Sequence, residues 1–152
     1  MYKANPPFLP SGSLLRALTT LLRKPHGTQP PLQHQFTQPP ANISHVEQYR
    51  GFFDFHPGDA FLGTPVCPLS YHYLGTQRAQ LALMMNTHFI YPVAGMVHVG
   101  NDMRQLHPYD PQQSALLTVW VEAEPFLPNE NQFVGLHSQL EQQGRIVVSC
   151  NS

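Results

Sequence analysis

His98 is the side chain in this sequence best suited to acid–base chemistry. It closes the segment Gly95-Met-Val-His98, in which apolar and polar residues alternate as they do along a strand. The free pKa of histidine lies near neutrality, which suits a general acid or base at an interface pocket. The alternative is a partly buried imidazole that bonds a backbone carbonyl. Nearby, Asn101 could hydrogen-bond a substrate or cap a strand bend beside Gly100, and the bend is the favoured interpretation.

Three further acidic or basic residues have positions that suggest a role. Asp59 follows Gly58 closely after a proline, and a carboxylate can share proton transfer with a histidine. A Gly-Asp pair after proline is common in turns, which favours a turn residue over a catalyst. Asp102 and Arg104 lie two apart on one face of a predicted strand, so we expect an ion pair at the surface or at an interface.

Several other chemistries have no sequence support. The chain has nine histidines but no HExxH motif, and most of the histidines lie in irregular segments without ligand spacing, so no metal site is predicted. There is no Gly-x-Ser-x-Gly elbow for a serine nucleophile and no GxxxxGK phosphate loop. Cys67 and Cys150 are too few for a disulfide framework, and we expect two small thiols in a reducing compartment.

The elements that position these residues belong to one domain. The chain has 152 residues, 41% of them hydrophobic, which is enough for one core and argues against disorder. A net charge of −1 argues against nucleic-acid binding. No apolar run is long enough to span a membrane and no secretory signal is apparent, so we expect a cytoplasmic protein. Sixteen prolines make an all-helical bundle improbable.

The chain divides at about residue 40. Leucines at helical spacing predict a helix over 11–24 that docks on the domain, with a membrane-surface or targeting helix as the alternative. Residues 25–40 are rich in Pro and Gln and predict an extended arm over the domain surface. Residues 1–40 therefore form an N-terminal helix and arm, and residues 41–152 form the folded domain.

The pattern of the folded domain predicts an α+β architecture. A helix over 70–86 is apolar on most sides, which indicates burial on most sides. Period-two alternation then predicts strands over 93–106, 114–124, 132–140 and 145–150. Their short connections require antiparallel pairing. We therefore expect an antiparallel sheet wrapped around a central buried helix.

One segment carries a family resemblance. Tyr91-Pro-Val-Ala-Gly-Met-Val-His-Val-Gly-Asn101, with Gln105-Leu-His-Pro108 after it, resembles the MaoC-like acyl dehydratases, which have the hotdog fold. It is most similar to the subgroup whose strand after the helix follows the pattern Phe-Pro-x-x-x-Gly-Leu-Val-His-Val-x-Asn. A looser similarity extends from about Tyr49 to Cys150. That subgroup resembles the N-terminal repeat of double-hotdog hydratases.

The resemblance implies an activity on acyl thioesters. Family members hydrate enoyl thioesters or dehydrate 3-hydroxyacyl thioesters, on coenzyme A or acyl carrier protein, without a metal or redox cofactor. The N-terminal amides of the central helix polarise the thioester carbonyl in this family, as helix dipoles can. Carried over to this sequence, the resemblance makes His98 and Asp59 the catalytic residues and Gly95 and Asn101 the substrate-binding ones.

The sequence departs from the family at the catalytic motif. Active members carry Gly-Asp-x-Asn-Pro-x-His before the helix, but here Leu62 and Thr64 stand where Pro and His are expected. Three hypotheses remain open. The chain is a hydro-lyase in which His98 replaces the missing pair, or a non-catalytic acyl-binding or structural subunit that completes the site of a partner, or a hotdog thioesterase. The partner would be a second copy in a homodimer or another hotdog subunit.

Overall fold

The protein is an α+β fold, as the sequence predicts. The computed structural model describes residues 28–53, 67–123 and 132–152. A five-stranded antiparallel sheet has the order β1-β3-β4-β5-β2, and a long helix packs against it. The elements in chain order are β1 Gln33–Gln38, α1 Ile43–Phe52, α2 Leu69–Met84, β2 Asp102–Gln105, β3 Ala115–Ala123, β4 Val134–Gln142 and β5 Arg145–Asn151.

The strands β3, β4 and β5 form the centre of the sheet. Every second residue of β3 is buried up to Val119, which is the alternation expected of a sheet with one face on the core. The connection between β4 and β5 is a tight turn at Gln143 and Gly144, both with positive φ, of 52° and 74°. Two such residues in a row give the turn whose twist matches a hairpin. The predicted turn before Arg145 is therefore confirmed.

Helix α2 is exposed along a single stripe and is buried or half-buried elsewhere, in line with the expected burial on most sides. The buried side carries His72, Thr76, Ala79, Gln80 and Leu83. On the other side the side chains of two leucines stay partly in solvent, with Leu74 43% and Leu81 39% exposed. Besides the sheet, helix α1 contacts α2, because the rings of His45 and Tyr49 pack against Tyr71.

The segment before α2 also contributes to the sheet. Within the predicted Pro-rich arm, β1 pairs along its whole length with β3, with Gln38 opposite Ala115 and Gln33 opposite Trp120. Helix α1 follows directly, and the side-chain oxygen of Asn42 accepts a bond from the backbone N–H of His45, which caps the helix start.

The predicted strand over 93–106 forms only in part. Residues 93–101 are irregular and only β2, Asp102–Gln105, pairs with β5. Three residues explain the difference. Pro92 lacks a backbone donor, and Gly95 adopts a φ of 92° that turns the chain. Gly100, two residues before pairing begins at Asp102, weakens a strand because it has no side chain to pack.

Two expectations concern residues that the structure does not describe. The helix predicted over 11–24 and the candidate Asp59 both lie outside the described residues. Among the described helices, none has the length and hydropathy that crossing a bilayer requires.

Candidate functional site

A groove of about 320 Å³ lies between α2, the irregular segment 93–99 and the end of the sheet. This volume is at the lower end of the range for small-molecule sites. The lining is mainly apolar and includes His98. The lining residues are Tyr73, Gln77, Gln80, Met84, Val93, Met96, Val97, His98, Val99, Val134, Leu136 and Ser152.

Helix α2 supplies one wall of the groove from a single stripe. Tyr73, Gln77, Gln80 and Met84 are separated by four, three and four residues, so they stand above one another on the helix. The stripe spans about 16 Å, because each helical residue rises about 1.5 Å. The groove is therefore elongated along the helix, with Tyr73 at one end and Met84 at the other.

His98 lies at the Tyr73 end of this groove. Its ring stacks on that of Tyr73, with centroids 6.4 Å apart and planes inclined by 26°. The residue is exposed, and no carboxylate belongs to the lining within the described chain. Asp59 lies outside the described residues, so the pairing of His98 with Asp59 stays a prediction.

Gly95 forms the turn that presents the segment to the groove. The backbone N–H of Met96 donates to the carbonyl of Val93 at 3.3 Å, and Gly95, with its φ of 92°, is the third residue of this turn. A positive φ at that position is typical of a type II turn and favours glycine. Gly95 does not itself line the groove, whereas its neighbours Val93 and Met96 do. Its contribution within the described residues is backbone geometry, and its predicted contact with substrate stays a prediction.

Asn101 belongs to a polar network below the groove. Its Oδ1 accepts from the Sγ of Cys150 at 3.0 Å and from the Oγ of Ser152 at 3.1 Å. Gln80 Nε2 donates to the same Ser152 Oγ at 3.4 Å. Asn101 is therefore one step removed from the lining, and it positions Ser152, which does line the groove.

The predicted pair of Asp102 and Arg104 is confirmed as a surface ion pair. The Arg104 Nη2 lies 2.8 Å from Asp102 Oδ2, with the side chains 70% and 52% exposed. Such exposed pairs contribute little to stability. Neither residue lines the groove, and no lining residue is an acid, a lysine or an arginine. The described groove thus suits the neutral, apolar part of a ligand.

Two buried thiols lie outside the groove lining. Burial raises the pKa of Cys67 to about 12 and also raises the pKa of Cys150, despite bonds from the hydroxyls of Ser152 and Ser138 that act in the opposite direction. Both cysteines are free and buried. At neutral pH both side chains are therefore protonated thiols. The thiolate is the form that would attack a thioester.

One buried histidine also lies away from the groove. Neither ring nitrogen of His72 has a hydrogen-bond partner within the described residues, and the ring packs edge-on against Tyr109 with centroids 4.3 Å apart. Burial lowers the pKa of His72 from 6.5 to about 4. His72 is therefore neutral at physiological pH. Within the described residues, no cluster of three metal-ligating side chains occurs.

Sequence reasoning did not identify Gln80, Tyr73 or Ser152 as site residues. Gln80 had a signal, because it is a neutral polar residue between Ala79 and Leu81 in the most apolar stretch of the helix. Ser152 had none, since its place in the groove depends on its backbone pairing with Leu136 across the sheet.

Comparison of the chain with protein-family models, with curated proteins and with solved structures gives no match.

Proposed function

We propose that this protein binds acyl thioesters, with the acyl chain in the groove along α2. The observation that carries the proposal is the shape and chemistry of the groove, which is elongated, about 320 Å³ in volume and lined mainly by apolar side chains. An acyl chain is a long apolar body whose transfer from water is favourable in proportion to the area buried. The sequence resemblance to MaoC-like hotdog proteins supports the same ligand class and, with it, the hotdog form of the α+β fold.

The exposed valines of the 93–99 segment support a ligand in this position. Val97 is 79% and Val99 76% exposed, although both belong to the groove lining. Apolar side chains held in water next to a groove gain free energy when an apolar ligand covers them. The thioester head is placed at the Tyr73–His98 end, where the lining carries a phenol and an imidazole.

Hydration of an enoyl thioester is the second candidate function. It is favoured by His98, the one imidazole of the described lining, at the end proposed for the thioester. In such a step water adds across the C2–C3 double bond, with its oxygen bonding to C3 and a proton arriving at C2. An imidazole can take the proton from water and return one to carbon. If His98 does not carry out this proton transfer, the proposed function is acyl binding alone.

The binding proposal is tested by titrating decanoyl-CoA into the purified chain by isothermal calorimetry. The Val97→Asp variant places a charge in the groove at an exposed position, so we expect at least tenfold weaker binding without loss of folding. The matched control is Leu106→Asp, because Leu106 is 49% exposed but lies outside the lining. Absence of binding to the unaltered protein, or equal weakening in both variants, would refute the proposal.

The hydratase candidate has its own assay. The enone absorbance of trans-2-decenoyl-CoA is followed in the presence of the protein and of its His98→Ala variant. If His98 carries the reaction, absorbance falls with the unaltered protein and stays constant with the variant. Constant absorbance with both, in a preparation that binds decanoyl-CoA, leaves acyl binding as the function. Release of free thiol instead would identify the thioesterase alternative.

A partner is also part of the proposal. We propose a homodimer or a complex with a second hotdog subunit, as the resemblance implies. Its support is the exposed side of α2, where Leu74 and Leu81 remain partly in water. Light scattering during size-exclusion chromatography gives the mass, for which a value near 17.1 kDa would exclude a stable homodimer.

A further inference from the structure

Gln80 is a buried polar side chain within the groove lining. The residue is only 4% exposed. Its Nε2 donates to the carbonyl of Leu136 at 3.0 Å and to the Oγ of Ser152 at 3.4 Å. A carbonyl only accepts hydrogen bonds, so the amide nitrogen must face Leu136. This contact fixes the orientation of the amide and turns Oε1 the other way.

The oxygen of that amide is left with hydrogen-bonding capacity. Oε1 accepts no bond from the residues that the structure describes, whereas Nε2 has two partners. It also differs from the ring nitrogens of His72, which lack both a partner and access to solvent. Gln80 is otherwise buried and belongs to the groove lining, so a ligand in the groove lies beside this amide.

We propose that Gln80 Oε1 selects acyl chains that carry a hydroxyl group in the middle of the chain. The inference rests on the proposed function and adds the substrate class to it. A plain chain would displace water from Oε1 and leave a buried acceptor unpaired, which is costly. A chain with a hydroxyl at the same depth replaces the water by a donor. Sites built in this way discriminate strongly against analogues without the polar group.

The position of the hydroxyl follows from the helix. Gln80 is seven residues beyond Tyr73 on the same stripe, a distance of about 10 Å along the helix axis. An extended chain advances about 1.2 Å per bond, the value that also describes an extended backbone. With the thioester beside Tyr73 and His98, Gln80 meets the acyl chain about eight bonds further on. A hydroxyl near C8 is therefore within reach, whereas a hydroxyl at C3 is not.

The experiment compares three ligands of equal length on the unaltered protein by calorimetry: decanoyl-CoA, 8-hydroxydecanoyl-CoA and 3-hydroxydecanoyl-CoA. We expect the 8-hydroxy ligand to bind about tenfold more tightly than decanoyl-CoA, and the 3-hydroxy ligand to show no gain. Equal affinities for all three would overturn the inference and leave the proposed function intact. If none of the three binds, the proposed function itself fails.

Variants then assign the preference to one atom. Gln80→Met keeps the length of the side chain but removes Oε1, so the 8-hydroxy preference should disappear. The control is Gln139→Met, which makes the same change on the opposite face of the sheet and should keep the preference. A preference that survives in Gln80→Met would overturn the assignment. Should Gln80→Met not fold, because the Leu136 carbonyl loses its donor, the ligand comparison on the unaltered protein decides alone.

Discussion

Two segments of this protein share an alternating apolar pattern and end in opposite environments. In β3, Leu117 is 2% and Val119 0% exposed, with strands paired on both sides. In the segment 93–99, Val97 and Val99 are more than three-quarters exposed and no strand forms. The pattern alone therefore does not decide burial. Alternating valines are buried in the core where the backbone can pair with a neighbouring strand. Where it cannot pair, they stay exposed beside the groove.

The core and the groove each contain a histidine, and these two residues also differ in exposure. His72 lies on the buried side of α2 with its ring against Tyr109, and its ring nitrogens have no hydrogen-bond partner within the described chain. His98 is exposed at the groove, stacked on Tyr73. The core thus holds an imidazole where protonation is penalised, and the groove holds one that solvent or a ligand can contact.

The largest expected effect is the loss of stability in acid caused by His72. Its pKa falls from 6.5 to about 4 on folding, so between these values the unfolded chain binds more protons than the folded one. Stability is therefore complete above pH 6.5 and decreases as the pH falls towards 4, by about 3 kcal/mol. Urea unfolding at pH 7.5, 6, 5 and 4 measures this decrease.

The same pH series on two matched variants tests whether the buried histidine, and not the exposed one, causes the decrease. His72→Phe keeps the aromatic contact with Tyr109 but cannot be protonated, so most of the decrease should vanish. His98→Phe leaves His72 in place, so the decrease should remain. An undiminished decrease in His72→Phe would show that other groups cause the acid sensitivity.

A second prediction compares the same truncation at a valine of the core, Val119, and at a valine of the groove, Val97. Val119→Ala removes two methyl groups from a fully buried position and should lower the free energy of unfolding by about 2 kcal/mol. Val97→Ala makes the same change at an exposed position and should alter it by less than about 0.5 kcal/mol. Urea unfolding tests both, and comparable losses would mean that the 93–99 segment is part of the core in solution.

The smallest effect concerns the turn at the start of the 93–99 segment. Gly95→Ala forces a side chain into a positive φ and should cost about 1 kcal/mol, although no atom obstructs the new methyl group. Gly100→Ala is the control, because its site is equally open and its φ lies outside the positive range. Thermal unfolding of both variants distinguishes backbone strain from a loss of space. Equal shifts in the two melting temperatures would contradict the strained-turn explanation.

Sequence patterns predicted the central sheet closely and the site only partly. The strands predicted over 114–124, 132–140 and 145–150 correspond to β3, β4 and β5 within about two residues at each end. These strands have alternation, short turns and partners on both sides, so local and long-range preferences agree. For 93–101 they disagree, because the alternation favours a strand while Pro92 and Gly95 prevent pairing.

The orientation of α2 could not be obtained from its sequence. The stripe Leu74, Arg78, Leu81 and Met85 has the same spacing as the stripe Tyr73, Gln77, Gln80 and Met84, one residue earlier. The two differ by a rotation of about 100°, and both contain apolar residues. The structure turns His72 and Gln80 inwards and the two leucines outwards. His98, predicted from the sequence, belongs to the groove lining, whereas the helix residues around it were not predicted.

The reactivity of the two buried thiols reports local opening of the structure around them. Cys67 lies two residues before α2 and Cys150 lies in β5, and burial shields both thiols from solvent and raises their pKa. An alkylating reagent can reach either one only when the surrounding structure opens, so the rate at each thiol measures the free energy of that opening. Labelling at Cys150 in particular would record motions beneath the groove. A bound acyl chain should slow it more than it slows labelling at Cys67.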